Sequence, residues 1–106
     1  MEPRFWVRRS QREGLCLLRL EGALDTGSAA ELARAICQAA REQAAERVEV
    51  SFAHCGGNLD LAVPALLRCL REQEGAPGMA LTGLTQHQLR VLGYLGFDEA
   101  GEPRGP

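Results

Sequence analysis

The chain has 106 residues, 45% of them apolar, a size that fits one domain burying about two thirds of its unfolded surface without help from disulfides. Twelve arginines and no lysine stand against 14 acidic residues for a formal charge of −2, which argues against the strong basic patch that a nucleic-acid partner demands. No apolar run approaches the ~20 residues of a membrane span, and Met1-Glu2-Pro3-Arg4 lacks the apolar core of a signal peptide, so the expectation is a cytosolic protein without membrane insertion.

Phe5 and Val7 alternate with Trp6 and Arg8, a polar Ser10-Gln11-Arg12-Glu13-Gly14 turn follows, and Leu15 to Leu20 forms a second apolar run. This pattern predicts an antiparallel hairpin. Gly22 to Gly27 then leads into Ser28-Ala29-Ala30-Glu31, a capping-box spacing that predicts a helix start near Ser28. Leu32, Ile36 and Ala40 repeat on one face while Arg34, Arg41, Glu42 and Glu46 stay polar, so an amphipathic helix is expected to about Ala45. In the third strand Val48, Val50 and Phe52 alternate with Arg47, Glu49 and Ser51, the period of a sheet covered on one side.

After this strand comes His54-Cys55-Gly56-Gly57-Asn58-Leu59-Asp60-Leu61-Ala62, read as a glycine-rich loop opening into a helix at an acidic residue. Val63, Leu66, Leu67 and Leu70 continue that helix to about Glu72, with Pro64 expected in its first turn, where a missing N–H is tolerated. Met79 to Thr82 reads as a short strand. A third helix follows, with Thr85 and Gln88 as a capping box, Leu84 and Leu89 as a hydrophobic staple, Leu89, Leu92 and Leu95 facing inward, and Gly96 as the left-handed stop. No apolar pattern continues past Asp98, so residues 1–98 are expected as one domain and 99–106 as a short frayed tail.

A helix start presents unpaired N–H groups and suits an anion, yet Asp60 already brings negative charge to this one. Gly56-Gly57-Asn58 lacks the lysine and spacing of a phosphate-binding loop and reads as a turn. Cys16, Cys37, Cys55 and Cys69 are far apart with no C-x-x-C, so buried free thiols are expected for Cys16, Cys37 and Cys69. Cys55, beside His54 in the loop, is the thiol open to oxidation, although an ordinary loop cysteine is the stronger reading. His54 and Cys55 do not make a closed metal site, and His87 sits on a different helix. No nucleophile, base and orienting group stand together, so neither an enzyme, a metal nor a cofactor is expected.

Three stretches in this order resemble the STAS domain of bacterial anti-sigma factor antagonists and sulfate-transporter tails. They are Leu18 to Asp25 followed by Ser28-Ala29 and Leu32, then Val48 to Phe52 leading to a helix with Leu66-Leu67, and lastly Leu81 to Leu84 with Val91-Leu92 and Gly96-Phe97-Asp98. The resemblance covers about Phe5 to Asp98. It implies an α/β fold with a four- to five-stranded mixed sheet and about three helices packed mainly on one face. It also implies a non-catalytic protein-interaction module whose partner-binding surface comprises Asn58, Leu59, Asp60, Leu61 and Ala62, with Asp25 in a turn close to that surface, where a helix cap alone is the stronger reading.

Regulated members of that family begin the second helix with an Asp-Ser-Ser/Thr-Gly type motif, whose first Ser is phosphorylated by an anti-sigma factor kinase. This chain departs from it. An ungapped match puts Leu59 at the motif aspartate, Asp60 at the phosphorylated serine and Ala62 at the glycine. The alternative keeps Asp60 as the aspartate and sets Leu61 at the serine, but gives Pro64 a core leucine position, which a proline ring fills poorly. Either way the phosphoacceptor is missing. Asp60 is then a fixed carboxylate for a partner, an N-cap, or both. The implied partner is an anti-sigma factor or serine kinase-like protein; alternatively the chain is an accessory subunit that binds the ATPase of a lipid-trafficking ABC transporter.

Overall fold

The computed structural model describes residues 5–97, so the expectations for Met1 to Arg4, for Asp98 and for the 99–106 tail lie outside the described residues. Strands β1 (Phe5–Arg12), β2 (Leu15–Ala23), β3 (Arg47–Gly56) and β4 (Gly78–Thr82) form one sheet in the order β1-β2-β3-β4. Helices α1 (Ala29–Glu42), α2 (Leu59–Glu72) and α3 (Gln86–Tyr94) follow β2, β3 and β4. β1 pairs antiparallel with β2, whereas β2–β3 and β3–β4 are parallel, which gives the expected mixed α/β sheet with four strands. Parallel neighbours need crossover connections, and the right-handed rule places α1 and α2 on the same face. That face carries Cys16, Leu18 and Leu20 of β2, Val48, Val50 and Phe52 of β3, and Met79 of β4, all buried. Leu32, Ile36 and Ala40 of α1 close over them with Val63, Leu66, Leu67 and Leu70 of α2.

Four local expectations change. The hairpin turn is only Glu13-Gly14, both residues at positive φ (49° and 82°), the primed geometry whose twist matches that of paired strands. Ser10, Gln11 and Arg12 therefore remain in β1, where ladder pairing does not depend on side-chain polarity. Ser28 makes no side-chain cap to α1; Asp25 accepts from both the backbone N–H and Oγ of Ser28 at 2.9 Å, capping a short 3-10 turn over Thr26–Ser28 instead. The Ser28–Glu31 box is thus not formed, because the carboxylate three residues upstream takes the donor first. α1 stops at Glu42 and not at Ala45. Ala44 turns left-handed (φ 50°) and the Ala45 N–H donates to the Ala40 carbonyl at 2.9 Å, a Schellman closure built without glycine.

At the start of α3 the Thr85–Gln88 capping box forms in both directions, with bonds of 3.1 and 2.8 Å. Gly96 (φ 88°) then reverses the chain, and the Phe97 N–H reaches the Leu92 carbonyl at 2.9 Å. This brings Phe97 into the core at 3% exposure and leaves Leu95 at 45%, so the expected inward Leu95 is replaced by Phe97.

Candidate functional site

β2, β3 and β4 run parallel, so the loops that leave their carboxyl ends meet along one edge of the sheet, the place where open α/β sheets commonly receive ligands. β3 extends past Phe52 through a register shift, pairing His54 with Glu21 and Cys55 with Gly22. The predicted glycine loop is therefore short. The Leu24 N–H donates to the Gly56 carbonyl at 3.1 Å, and Gly57 (φ 93°) lies so close that a Cβ there would fall 2.4 Å from the Leu24 carbonyl oxygen. Only glycine lets the β3–α2 loop rest on the β2–α1 loop. Gly83 (φ 79°) plays the same part for the β4–α3 loop, 2.5 Å from the Ala53 nitrogen by the same construction.

This packing sets the first turns of α2 and α3 side by side. His87 Nε2 lies 3.0 Å from Asp60 Oδ2, joining residues 27 apart in the chain. Both side chains keep solvent contact (71% and 38%), so the pair contributes about 0–1 kcal/mol to the fold. Its consequence is orientation: it fixes the Asp60 carboxylate at the sheet edge. The sequence reading placed His87 elsewhere, because spacing along the chain says nothing about it. The recoverable signal is topological: helices that follow adjacent parallel strands begin at the same edge.

Asp60 is not the N-cap of α2. Asn58 takes that position without a side-chain capping bond, and Asp60 is the second helical residue. Pro64 consequently falls in the second turn, not the first. Lacking an N–H, it leaves the Asp60 carbonyl without its usual helical donor. The ring is itself buried among Val63, Leu66 and Leu67, so burial gives no ground for denying proline a core position.

Of the residues expected to meet a partner, Asn58 is exposed, Leu61 is 60% exposed and Asp60 is half-buried. Leu59 and Ala62 are buried at 6% and 0%, because the helical period turns them onto the face that carries Val63 and Leu66. Neither offers a partner its side chain, which corrects the expectation of five contiguous contact residues. Asp25 is half-buried on Ser28, in the 3-10 turn that packs against α2, so it stands near the edge in a capping role.

Cys55 is a strand residue and not a loop thiol. Burial pushes its thiol up, only partly opposed by a hydrogen bond from the Leu24 backbone, which keeps it protonated and a poor nucleophile. Burial likewise raises the Cys16 and Cys37 thiols, while Cys69 is half-buried where full burial was expected. Among the described residues, no three His, Cys, Asp or Glu side chains gather as metal ligands. No helix among them is long and apolar enough to cross a membrane.

No family model matches the chain, and no curated protein matches it either. Solved structures do. An anti-sigma factor antagonist STAS domain from Rhodobacter sphaeroides superimposes with a TM-score of 0.53 at 21% identity, over 74% of this chain and 86% of that one. An anti-sigma factor antagonist from Mycobacterium paratuberculosis gives 0.59 at 13% identity, over 85% and 79%. The order of elements, the mixed four-stranded sheet and these superpositions together give the conclusion that the chain has the fold of a STAS domain.

Proposed function

We propose that the chain is a non-catalytic regulatory module of the anti-sigma factor antagonist type, which binds a protein partner through the first turn of α2 and carries no phosphate switch there. The carrying observation is the composition of that turn: Leu61 stands 60% exposed beside an Asp60 carboxylate held by His87, and no hydroxyl side chain occurs from Cys55 to Ala62. An exposed leucine beside an oriented charge suits an interface, where an apolar anchor supplies affinity and a charge sets register. In the ungapped register Asp60 supplies a permanent single charge where a phosphate would add about −1.5 to −2. His87 and Tyr94 share one stripe of α3 by helical spacing, and Tyr94 is 89% exposed, so the surface continues along that helix.

The same missing hydroxyl suits a second reading, an accessory subunit that props the ATPase of a lipid-trafficking ABC transporter. Co-purification with each candidate separates the two: an anti-sigma factor kinase supports the first, a transporter ATPase the second. In either case Leu61→Glu and Asp60→Ala should weaken capture while circular dichroism and melting change little. Incubation with the kinase and ATP should leave the intact mass unchanged. Phosphate appearing between Cys55 and Ala62, or capture indifferent to both substitutions, would overturn the proposal.

A further inference from the structure

The geometry points to a second docking surface, the face of the sheet that no helix among the described residues covers, built to take an acidic segment of a protein partner. Strand registers lay this face out as a grid. Trp6, Glu21 and His54 form one row, Arg8, Arg19 and Ser51 the next, Ser10, Leu17 and Glu49 the third, and Arg12, Leu15 and Arg47 the fourth. Between the middle rows lies a groove of about 410 Å³ lined by Arg8, Ser10, Leu17, Arg19, Glu49 and Ser51.

The charge on this face is not balanced from within. Arg8 and Arg19 are direct cross-strand partners, an arrangement that is destabilising for like charges. One carboxylate serves both: Arg8 Nε meets Glu21 Oε1 at 2.9 Å and Oε2 at 2.6 Å, while an Arg19 guanidinium nitrogen stands 3.6 Å off. Arg12 and Arg47 have no ion pair among the described residues. The whole chain is acidic by formal charge, so arginine is concentrated on this face against the overall balance.

Trp6 adds an aromatic side chain, 56% exposed, at one end of the grid. Arginine with tryptophan is the composition of interface anchors, and guanidinium groups receive carboxylates as two-point forks. A nucleic acid fits less well, because single-strand platforms need successive aromatics for stacking, and Glu21 and Glu49 would repel phosphodiesters. A second copy presenting the same face would set arginines against arginines.

Trp6 is the only tryptophan of the chain, so its emission reports on this surface directly. The full chain would be titrated at low salt with a deca-glutamate peptide, a deca-lysine peptide and a ten-nucleotide oligo-dT. The expected result is a saturable emission change with deca-glutamate alone, weakened about tenfold by the double substitution Arg12→Gln/Arg47→Gln, about what losing one or two charge-assisted bonds produces. Both positions are exposed and make no ion pair among the described residues, so folding is retained. Arg19→Gln provides a second variant with the same expected direction, and Arg34→Gln on α1 should leave the titration unchanged. The proposal fails if deca-glutamate gives no change, if the substitutions leave affinity intact, if oligo-dT binds more tightly, or if sedimentation shows a dimer that hides Trp6.

Discussion

The first turns of α2 and α3 stand side by side at one edge of the sheet and are finished in opposite ways. α3 is closed: Thr85 and Gln88 satisfy each other's backbone donors. α2 is open: its N-cap Asn58 makes no side-chain bond, Asp60 turns outward to His87, and Leu61 projects into solvent. One helix start spends its polar groups on its own backbone, whereas the other presents them. This contrast separates a helix start closed on its own backbone from one left open at the surface, and it was not visible in either stretch of sequence taken alone.

The strongest way to break the contrast is Gly57→Ala, since a Cβ would fall on the Leu24 carbonyl in a left-handed backbone; a loss of about 2 kcal/mol is expected in chemical denaturation, with the α2 turn displaced from α3. Thr85→Ala should cost about 1 kcal/mol by removing a working cap, while Asn58→Ala should stay within about 0.5 kcal/mol. Equal costs would show that α2 is capped after all. For the pair between the helices, His87→Ala and Asp60→Asn should each cost under about 1 kcal/mol, and the double variant no more than the larger single one. Additive costs would remove the pair as a link.

The smallest effect contrasts these first turns with the last turn of α1, where Glu42 accepts from Arg9 and Gln38. The Arg9 hydrogen bond, then the Gln38 bond, hold the Glu42 carboxyl below the ordinary glutamate value. A carboxyl depressed in the folded state stabilises above its unfolded pKa and loses that contribution as pH falls through the folded one. Glu42 should therefore titrate low by NMR and return toward the ordinary range in Arg9→Gln. An unchanged Glu42 titration in that variant would discard the tether.

Much of this fold was legible in the sequence, because burial leaves a periodic record. The alternation at Val48, Val50 and Phe52 and the helical spacing of Val63, Leu66, Leu67 and Leu70 all correspond to buried faces. Element ends were less legible. β3 runs on through His54 and Cys55, since backbone pairing with Glu21 and Gly22 leaves no side-chain pattern. At the proposed site, the resemblance sets Leu59 and Ala62 beside Asp60 and Leu61 as motif positions, but a motif does not say which of them the helical period turns into the core, and it is Leu59 and Ala62 that are buried. His87 escapes the sequence because its relation to Asp60 exists only after the α2 crossover sets β4 parallel beside β3 and brings both helix starts to one edge.

Pro64 gives that edge a mechanical property. With no N–H to return to the Asp60 carbonyl, the first turn of α2 is fastened to the rest of the helix by one bond fewer, while the ring anchors the second turn in the core. The amides of that turn should therefore exchange with solvent ahead of those beyond Pro64, while the buried Leu59 and Ala62 side chains keep the turn docked on the core. The missing bond thus lies in the turn whose Asp60 and Leu61 side chains face outward, while the buried proline ring holds the turn that follows.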